Sequence, residues 1–117
     1  MSDDDTVEMF RPVGEAELEL VKESEYLRWP PRLPEQPIFY PVTNAKYAAE
    51  IAERWNGRDG QKGFVTRFRV RKQFADSYEV HQVGAAHHTE WWIPAEDLDD
   101  LNANIIGGIE VTQSFEG

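Results

Sequence analysis

Residues 78–94, YEVHQVGAAHHTEWWIP, carry the clearest structural signal in the chain. Tyr78 and Val80, and again Trp91 and Ile93, are apolar or aromatic residues two positions apart, and the segment between the two pairs contains a glycine. This pattern predicts two antiparallel strands joined by a turn over residues 84–87. If Val83 pairs with His88, then His81 lies opposite Glu90 and Tyr78 lies opposite Ile93. His81 and Glu90 are then close enough for their side chains to interact. A carboxylate therefore sits among histidines and tryptophans on one face of a predicted sheet.

Strands and helices alternate along the rest of the chain. The pattern predicts a strand at 6–13 that stops near Pro12, further strands at 38–42, 64–71 and 107–115, and helices at 14–26, 45–56 and 95–105. Residues 28–37 and 57–63, rich in proline and glycine respectively, predict loops. We therefore predict an α+β fold, a compact and mainly antiparallel sheet with two to three short helices. Residues 1–5 are expected to form an acidic disordered tail, and residues 6–117 a single domain.

The strand at 64–71 has two distinct faces. Its even-numbered residues, from Phe64 to Val70, are predicted to face the core, whereas Arg67 and two further arginines share the other face with Val65. Arg67 could bind a phosphate through bidentate contacts, or face solvent and balance nearby carboxylates.

The helix at 45–56 has an apolar stripe, and Thr43 or Asn44 offers a cap for its first turn. Its stripe consists of Tyr47, Ala48, Ile51, Ala52 and Trp55.

The chain is strongly acidic and contains no cysteine. Its 117 residues include 22 Asp and Glu against 12 Lys and Arg, for a formal net charge of -10. This charge repels polyanions, so binding of nucleic acid through a general basic surface is not expected. The lack of cysteine excludes disulfides and thiolate metal sites. Residues 1–10 lack the basic and apolar segments of a signal peptide, so we expect a cytoplasmic protein without a membrane partner.

Glu90 has three interpretations on the residues alone. It can form an ordinary cross-strand polar pair with His81 that faces solvent. It can hold a positive charge or a sugar hydroxyl of a ligand. It can also bind a metal together with His81 and His88, although three histidines in a chain are a weak signal and we predict no metal.

Four stretches taken together resemble a known family. They are RLPEQPIFYPVTNAKYAAEIAERWN (32–56), GFVTRFRV (63–70), YEVHQVG (78–84) and HTEWWIPAEDLDDLNANIIGGIEV (88–111). They resemble small bacterial proteins labelled as ADP-ribosylation/crystallin-J-related, from about residue 10 to residue 111, and their order is similar to the ADP-ribosyltransferase fold. The resemblance implies that NAD is the substrate. ADP-ribose would pass to an unidentified acceptor, such as a protein, or the nicotinamide bond would be hydrolysed.

The resemblance also implies roles for particular residues. Arg11 in FRPV matches the NAD-binding arginine or histidine on the first strand, Tyr40 or Thr43 in FYPVTNAKYA matches the second position, and Glu90 in HTEWWIP matches the third. Glu90 would bind the ribose and stabilise the positive charge of the transition state. The implied catalytic residues are Arg11, Tyr40, Thr43 and Glu90. The implied NAD-binding residues are Arg11, Tyr40, Tyr47, Arg67, His81 and Trp92.

Two other functions fit parts of the sequence. The acidic surface and the aromatic residues fit a non-catalytic module that binds a basic protein partner, built on a degenerate transferase scaffold. An RNA-cleaving domain with His81 or His88 as general base is disfavoured, because the net charge opposes polyanion binding. The positions of Arg11 and Glu90 discriminate between the transferase and the non-catalytic module. Side chains that converge on one cleft favour the enzyme, and divergent side chains favour the module.

Overall fold

The computed structural model describes residues 5–31, 37–56 and 62–115, without the side chains of residues 55 and 56. Residues 1–4 of the predicted tail, and residues 32–36 and 57–61 of the two predicted loops, lie outside these residues. The elements are β1 (Thr6–Gly14), α1 (Glu15–Glu23), β2 (Ile38–Phe39), α2 (Ala45–Asn56), β3 (Gly63–Arg71), α3 (Lys72–Ala75), β4 (Val80–Gln82), β5 (Thr89–Trp91), β6 (Ile93–Pro94), α4 (Leu98–Ala103) and β7 (Ile105–Phe115). The predicted α+β class with mainly antiparallel pairing is confirmed. The described residues form four helices, one more than the predicted two to three, because α3 adds a single turn after β3.

The main sheet has the strand order β1-β3-β7, with antiparallel neighbours. Strands β4 and β5 form a separate hairpin, and β2 pairs with β6. Val42 connects the hairpin to the main sheet, because it forms one antiparallel bridge with Phe10 of β1 and another with Glu90 of β5. Phe10, Val42 and Glu90 therefore lie in one row across the sheet.

Strand β1 continues through Pro12 to Gly14, so the prediction that it stops near Pro12 is wrong. Phe10 exchanges both backbone hydrogen bonds with Val42, at 2.9 and 2.6 Å. Pro12 lies two residues further on, so its backbone nitrogen and carbonyl group point to the same edge of β1, away from β3. Pro12 lacks an N–H group, but at this open edge no ladder hydrogen bond is lost.

Helix α1 ends at Glu23, three residues earlier than predicted. Glu25 and Tyr26 both adopt left-handed backbone conformations, with φ of 63° and 62°, and these conformations cannot continue the helix. Helix α2 begins and ends where predicted, and the side chain of Trp55 in its predicted apolar stripe lies outside the described residues. Its first turn is capped by Asn44, whose Oδ1 accepts a hydrogen bond from the Tyr47 N–H at 2.7 Å.

The sheet separates two cores. Helix α2 packs Ala48 and Ala52 on one face, against Val42 and Val65. The helix lies so close that a Cβ on Gly63 would be 2.3 Å from the Ala52 carbonyl oxygen, so glycine is required there. The larger core on the other face includes Trp29, Phe39, Phe68, Trp91, Ile93 and Leu101. The predicted faces of β3 are confirmed, since Thr66, Phe68 and Val70 are buried opposite to Val65. Among the described helices, none has the length and apolar character needed to cross a membrane.

The hydroxyl of Tyr78 connects the segment after α3 to the turn that precedes α4. It donates a hydrogen bond to Asp97 Oδ2 at 2.7 Å. Burial, followed by the hydrogen bond and the charge of Asp97, raises the pKa of Tyr78 to about 12. Because the folded chain stabilises the neutral phenol, Tyr78 contributes to the free energy of unfolding. This contribution is complete below a pH of about 10 and is lost as the pH rises through the folded value.

We expect one tyrosine of the folded protein to ionise at a pH of about 12. Phenolate absorbance recorded directly after rapid pH jumps, before the chain unfolds, measures this ionisation. The ionisation at a pH of about 12 should be absent in Tyr78→Phe. It should remain in the control variant Tyr40→Phe, which removes an exposed phenol. If this ionisation persists in Tyr78→Phe, its assignment to Tyr78 is wrong.

Candidate functional site

Glu90 lies at the centre of the β5 strand, directly opposite His81 of β4. This confirms the register predicted from the hairpin sequence. The backbone N–H of Val83 also donates to the His88 carbonyl at 2.8 Å, as that register requires. The further expectation that Tyr78 pairs with Ile93 is wrong, since Ile93 pairs with Phe39. The carboxylate is half-buried and points to the face of the sheet that carries α2.

Aromatic side chains surround the Glu90 carboxylate. Tyr47 of α2 donates its hydroxyl hydrogen bond to Oε1 at 3.4 Å, and the Trp92 indole N–H donates to Oε2 at 2.7 Å. The Trp92 ring stacks on His81, with centroids 3.8 Å apart and planes 9° from parallel, and Tyr40 meets Trp92 edge-on at 6.4 Å. We refer to these residues as the Glu90 cluster: Tyr40, Tyr47, His81, Glu90 and Trp92.

The Glu90 cluster combines a negative charge with exposed aromatic surface. Tyr40 and Trp92 are each 42% exposed. Burial of the phenol, and then the nearby Glu90 carboxylate, raise the pKa of Tyr47, so this hydroxyl remains a hydrogen-bond donor at neutral pH. No described Lys, Arg or His forms an ion pair with Glu90.

Arg11 does not join the Glu90 cluster. Its neighbour Phe10 shares a face with Glu90 through Val42, so Arg11 projects from the opposite face of the sheet. There its guanidinium forms two hydrogen bonds with Glu17, at 2.6 and 2.9 Å. The same group lies over the ring of Phe39, 4.4 Å from its centroid. The structure thus separates the first and third residues of the predicted transferase site.

Thr43 and Arg67 also have other partners. The Thr43 hydroxyl forms a short hydrogen bond with the Thr89 hydroxyl, and its backbone N–H donates to the Thr89 carbonyl at 3.1 Å. Thr43 therefore fastens the start of α2 to β5. Arg67 shares the face of Glu90 but pairs with Glu110 at 2.8 Å, on the far side of β1. Of the predicted site residues, Tyr40, Tyr47, His81 and Trp92 converge on Glu90.

A second cluster was missed in the sequence. Glu50 of α2 reaches the turn between β4 and β5, where its two carboxylate oxygens lie 2.8 Å from His87 Nε2 and 2.9 Å from His88 Nε2. Hydrogen bonds from His87, and then from His88, lower the pKa of the Glu50 carboxyl. We refer to Glu50, His87 and His88 as the Glu50 cluster. The adjacent histidines were a visible signal, but nothing in the sequence pairs them with a glutamate 37 residues earlier.

The three metal ligands considered from the sequence, His81, His88 and Glu90, do not come together. His88 turns to Glu50, whereas His81 stacks on Trp92, so these histidines do not converge on Glu90. The two clusters are neighbours, however. The Tyr47 ring stacks on His88 with centroids 4.5 Å apart, while its hydroxyl contacts Glu90.

Comparison with known proteins adds no relative to this description, and the resemblance to ADP-ribosyltransferases stays a prediction. A scan against protein-family models, a search of curated proteins and a search of solved structures each found no match.

Proposed function

We propose that this protein is a non-catalytic module that binds a basic segment of another protein, with a Lys or Arg side chain seated at the Glu90 cluster. The observation that carries the proposal is a carboxylate surrounded by aromatic rings and without a cationic partner among the described residues. Other carboxylates in the strands do have such partners, as Glu110 has Arg67 and Glu8 has Arg69. The proposed encounter takes place in the cytoplasm.

The chemistry of the Glu90 cluster suits a cationic side chain. A carboxylate gives a charge-assisted hydrogen bond to an ammonium or guanidinium group. The electron-rich faces of Trp92 and Tyr40 attract the same cation and cover its aliphatic stem. Trp92 is held in place by His81 on one side and by its hydrogen bond to Glu90, so little side-chain entropy is lost when a ligand binds.

The overall charge supports the same kind of partner. A net charge of -10 attracts a basic segment over several ångströms and repels nucleic acid. Such attraction mainly increases the association rate, and salt weakens it. The Glu90 cluster would then provide the short-range specificity that the general charge lacks.

We expect Glu90→Gln to weaken the binding of a lysine-rich peptide by about tenfold, because the amide oxygen can still accept the Trp92 hydrogen bond but the negative charge is lost. Calorimetric titration at low and at raised salt measures the affinity. The matched control is Glu96→Gln, which removes the same charge from an exposed position. If both variants bind equally well, the peptide senses only net charge and the proposed site is wrong.

A second candidate function is the one that the resemblance implies, in which NAD is the ligand. The observation in its favour is that Tyr47, Glu90 and the stacked Trp92 offer a carboxylate for a ribose hydroxyl beside an aromatic surface for the nicotinamide ring. Arg11 would take no part, because it is paired with Glu17 on the other face of the sheet. Millimolar NAD replaces the peptide in the same titration. Heat that is lost in Glu90→Gln, accompanied by release of nicotinamide, favours this candidate, and the absence of heat ends it.

A further inference from the structure

The Glu50 cluster brings three metal-ligating side chains together from two elements. Glu50 comes from α2, and His87 and His88 come from the connection between β4 and β5. One carboxylate oxygen and one ring nitrogen of each histidine all lie within 4.8 Å of one another. The imidazole rings converge, with centroids 4.4 Å apart, although adjacent residues of an extended chain would point in opposite directions. The turn in the backbone thus produces a compact set of nitrogen and oxygen donors.

We propose that Glu50, His87 and His88 bind a zinc ion. Two imidazole nitrogens and one carboxylate oxygen suit a divalent transition metal, and three protein ligands leave one coordination position open. Zinc bonds of about 2.0–2.2 Å in a tetrahedron separate the ligand atoms by about 3.3 Å. The present oxygen–nitrogen distances are 2.8 and 2.9 Å, so a small outward shift of the carboxylate makes room for the ion. The proposal concerns different residues from the proposed peptide site.

Neighbouring contacts hold the proposed ligands in position. The Tyr47 ring stacks on His88 and meets His87 edge-on at 6.4 Å. Asn44, which caps α2, donates a hydrogen bond from Nδ2 to the His87 carbonyl at 2.8 Å. The helix and the turn are therefore joined independently of Glu50. The backbone at Glu50 and His87 is thus already in place for a metal ion, which lowers the ordering cost of binding.

The hydrogen bonds of His88 predict a specific structural response. The Ala85 N–H donates to His88 Nδ1 at 3.1 Å, so the metal-free ring carries its proton on Nε2 and donates it to Glu50. Zinc at Nε2 displaces that proton, and the neutral ring must then carry its proton on Nδ1. The bond from Ala85 is lost, and the turn at Gly84 and Ala85 has to move. Metal binding is thus coupled to the hairpin turn.

Zinc titration of the full chain, after treatment with a chelator, tests the proposal. Calorimetry should show one zinc ion per chain, and amide NMR spectra should show a large shift of the Ala85 resonance. Glu50→Gln, which keeps a hydrogen-bond acceptor, and His87→Ala should each weaken binding by about 100-fold or more. Glu53→Gln on the same helix and His81→Ala are matched controls and should bind zinc as the parent does. Cobalt in place of zinc should give the intense visible absorption of a four-coordinate site.

Two results would overturn the proposal. One is zinc binding that is equally strong in Glu50→Gln, His87→Ala and the controls. The other is no binding by the parent chain. Circular dichroism of each metal-free variant establishes that it is folded, and the Ala85 shift in the parent chain tests the site without any substitution. Failure of the peptide titration at the Glu90 cluster would leave these results unaffected.

Discussion

Replacing Trp29 with alanine is expected to lower the free energy of unfolding by about 3–5 kcal/mol, because it empties the centre of the larger core. The side chain is 1% exposed. Its ring lies 5.2 Å from that of Phe68 and 5.4 Å from that of Phe39, so it joins the main sheet to β2. Urea unfolding followed by far-ultraviolet circular dichroism measures the loss without relying on tryptophan emission.

Trp29→Phe is the matched variant for this prediction. The Trp29 indole N–H is buried and has no hydrogen-bond partner among the described residues, so phenylalanine removes an unsatisfied donor and keeps most of the apolar volume. The backbone bonds between residue 29 and the Asn102 side chain, at 2.8 and 3.1 Å, persist in both variants. We therefore expect Trp29→Phe to cost less than half as much as Trp29→Ala. Equal losses would show that the indole N–H has a stabilising partner.

Replacing Glu17 with alanine is expected to lower the free energy of unfolding by about 3 kcal/mol, because it leaves a buried guanidinium without its carboxylate. The Arg11 side chain is 11% exposed and that of Glu17 is 23% exposed. The guanidinium would retain the aromatic rings of Phe39 and Trp29 as neighbours, and neither ring carries a compensating charge. Urea unfolding of the single variant measures the effect.

Two further variants separate the buried pair from other effects. Glu15→Ala removes a carboxylate from the same first turn of α1, but one that is 63% exposed, so we expect a loss below about 0.5 kcal/mol. Arg11→Met combined with Glu17→Leu replaces the pair by apolar side chains and should recover most of the stability. If Glu17→Ala leaves stability unchanged, Arg11 is not held by this pair and becomes available for a ligand.

The sequence predicted those features that depend on local periodicity. The register of the hairpin followed from a short turn at 84–87 with Val83 paired to His88, and it placed His81 opposite Glu90 correctly. The two faces of β3 and the Asn44 cap followed in the same way. The strand at 6–13 was predicted, but not that it would continue past Pro12, because the tolerance of proline there depends on which strand edge stays open. The transferase-like detail of the fold stays a prediction.

The orientation of Arg11 depends on information that the sequence does not display. Shifting a strand by a single residue moves every side chain to the other face of the sheet. Whether Phe10 or Arg11 shares the face of Glu90 is decided by the bridges of Val42 to both strands, which are contacts over long sequence separations. The same limit applies to the Glu50 cluster, because the distance from α2 to the hairpin turn is set by tertiary packing.

The bridging position of Val42 has a mechanical consequence. Its backbone exchanges two hydrogen bonds with Phe10 of β1, whereas Pro41 and Thr43 on either side of it bond to Trp91 and Thr89 of β5. The hairpin therefore meets β1 through a short segment, which we expect to flex more readily than the long ladders of the main sheet. A ligand that contacts both Tyr47 of α2 and Glu90 of the hairpin would restrict the movement of the hairpin relative to the helix. The residence time of that ligand would then depend on the flexibility of the backbone around Val42, which the ligand itself does not contact.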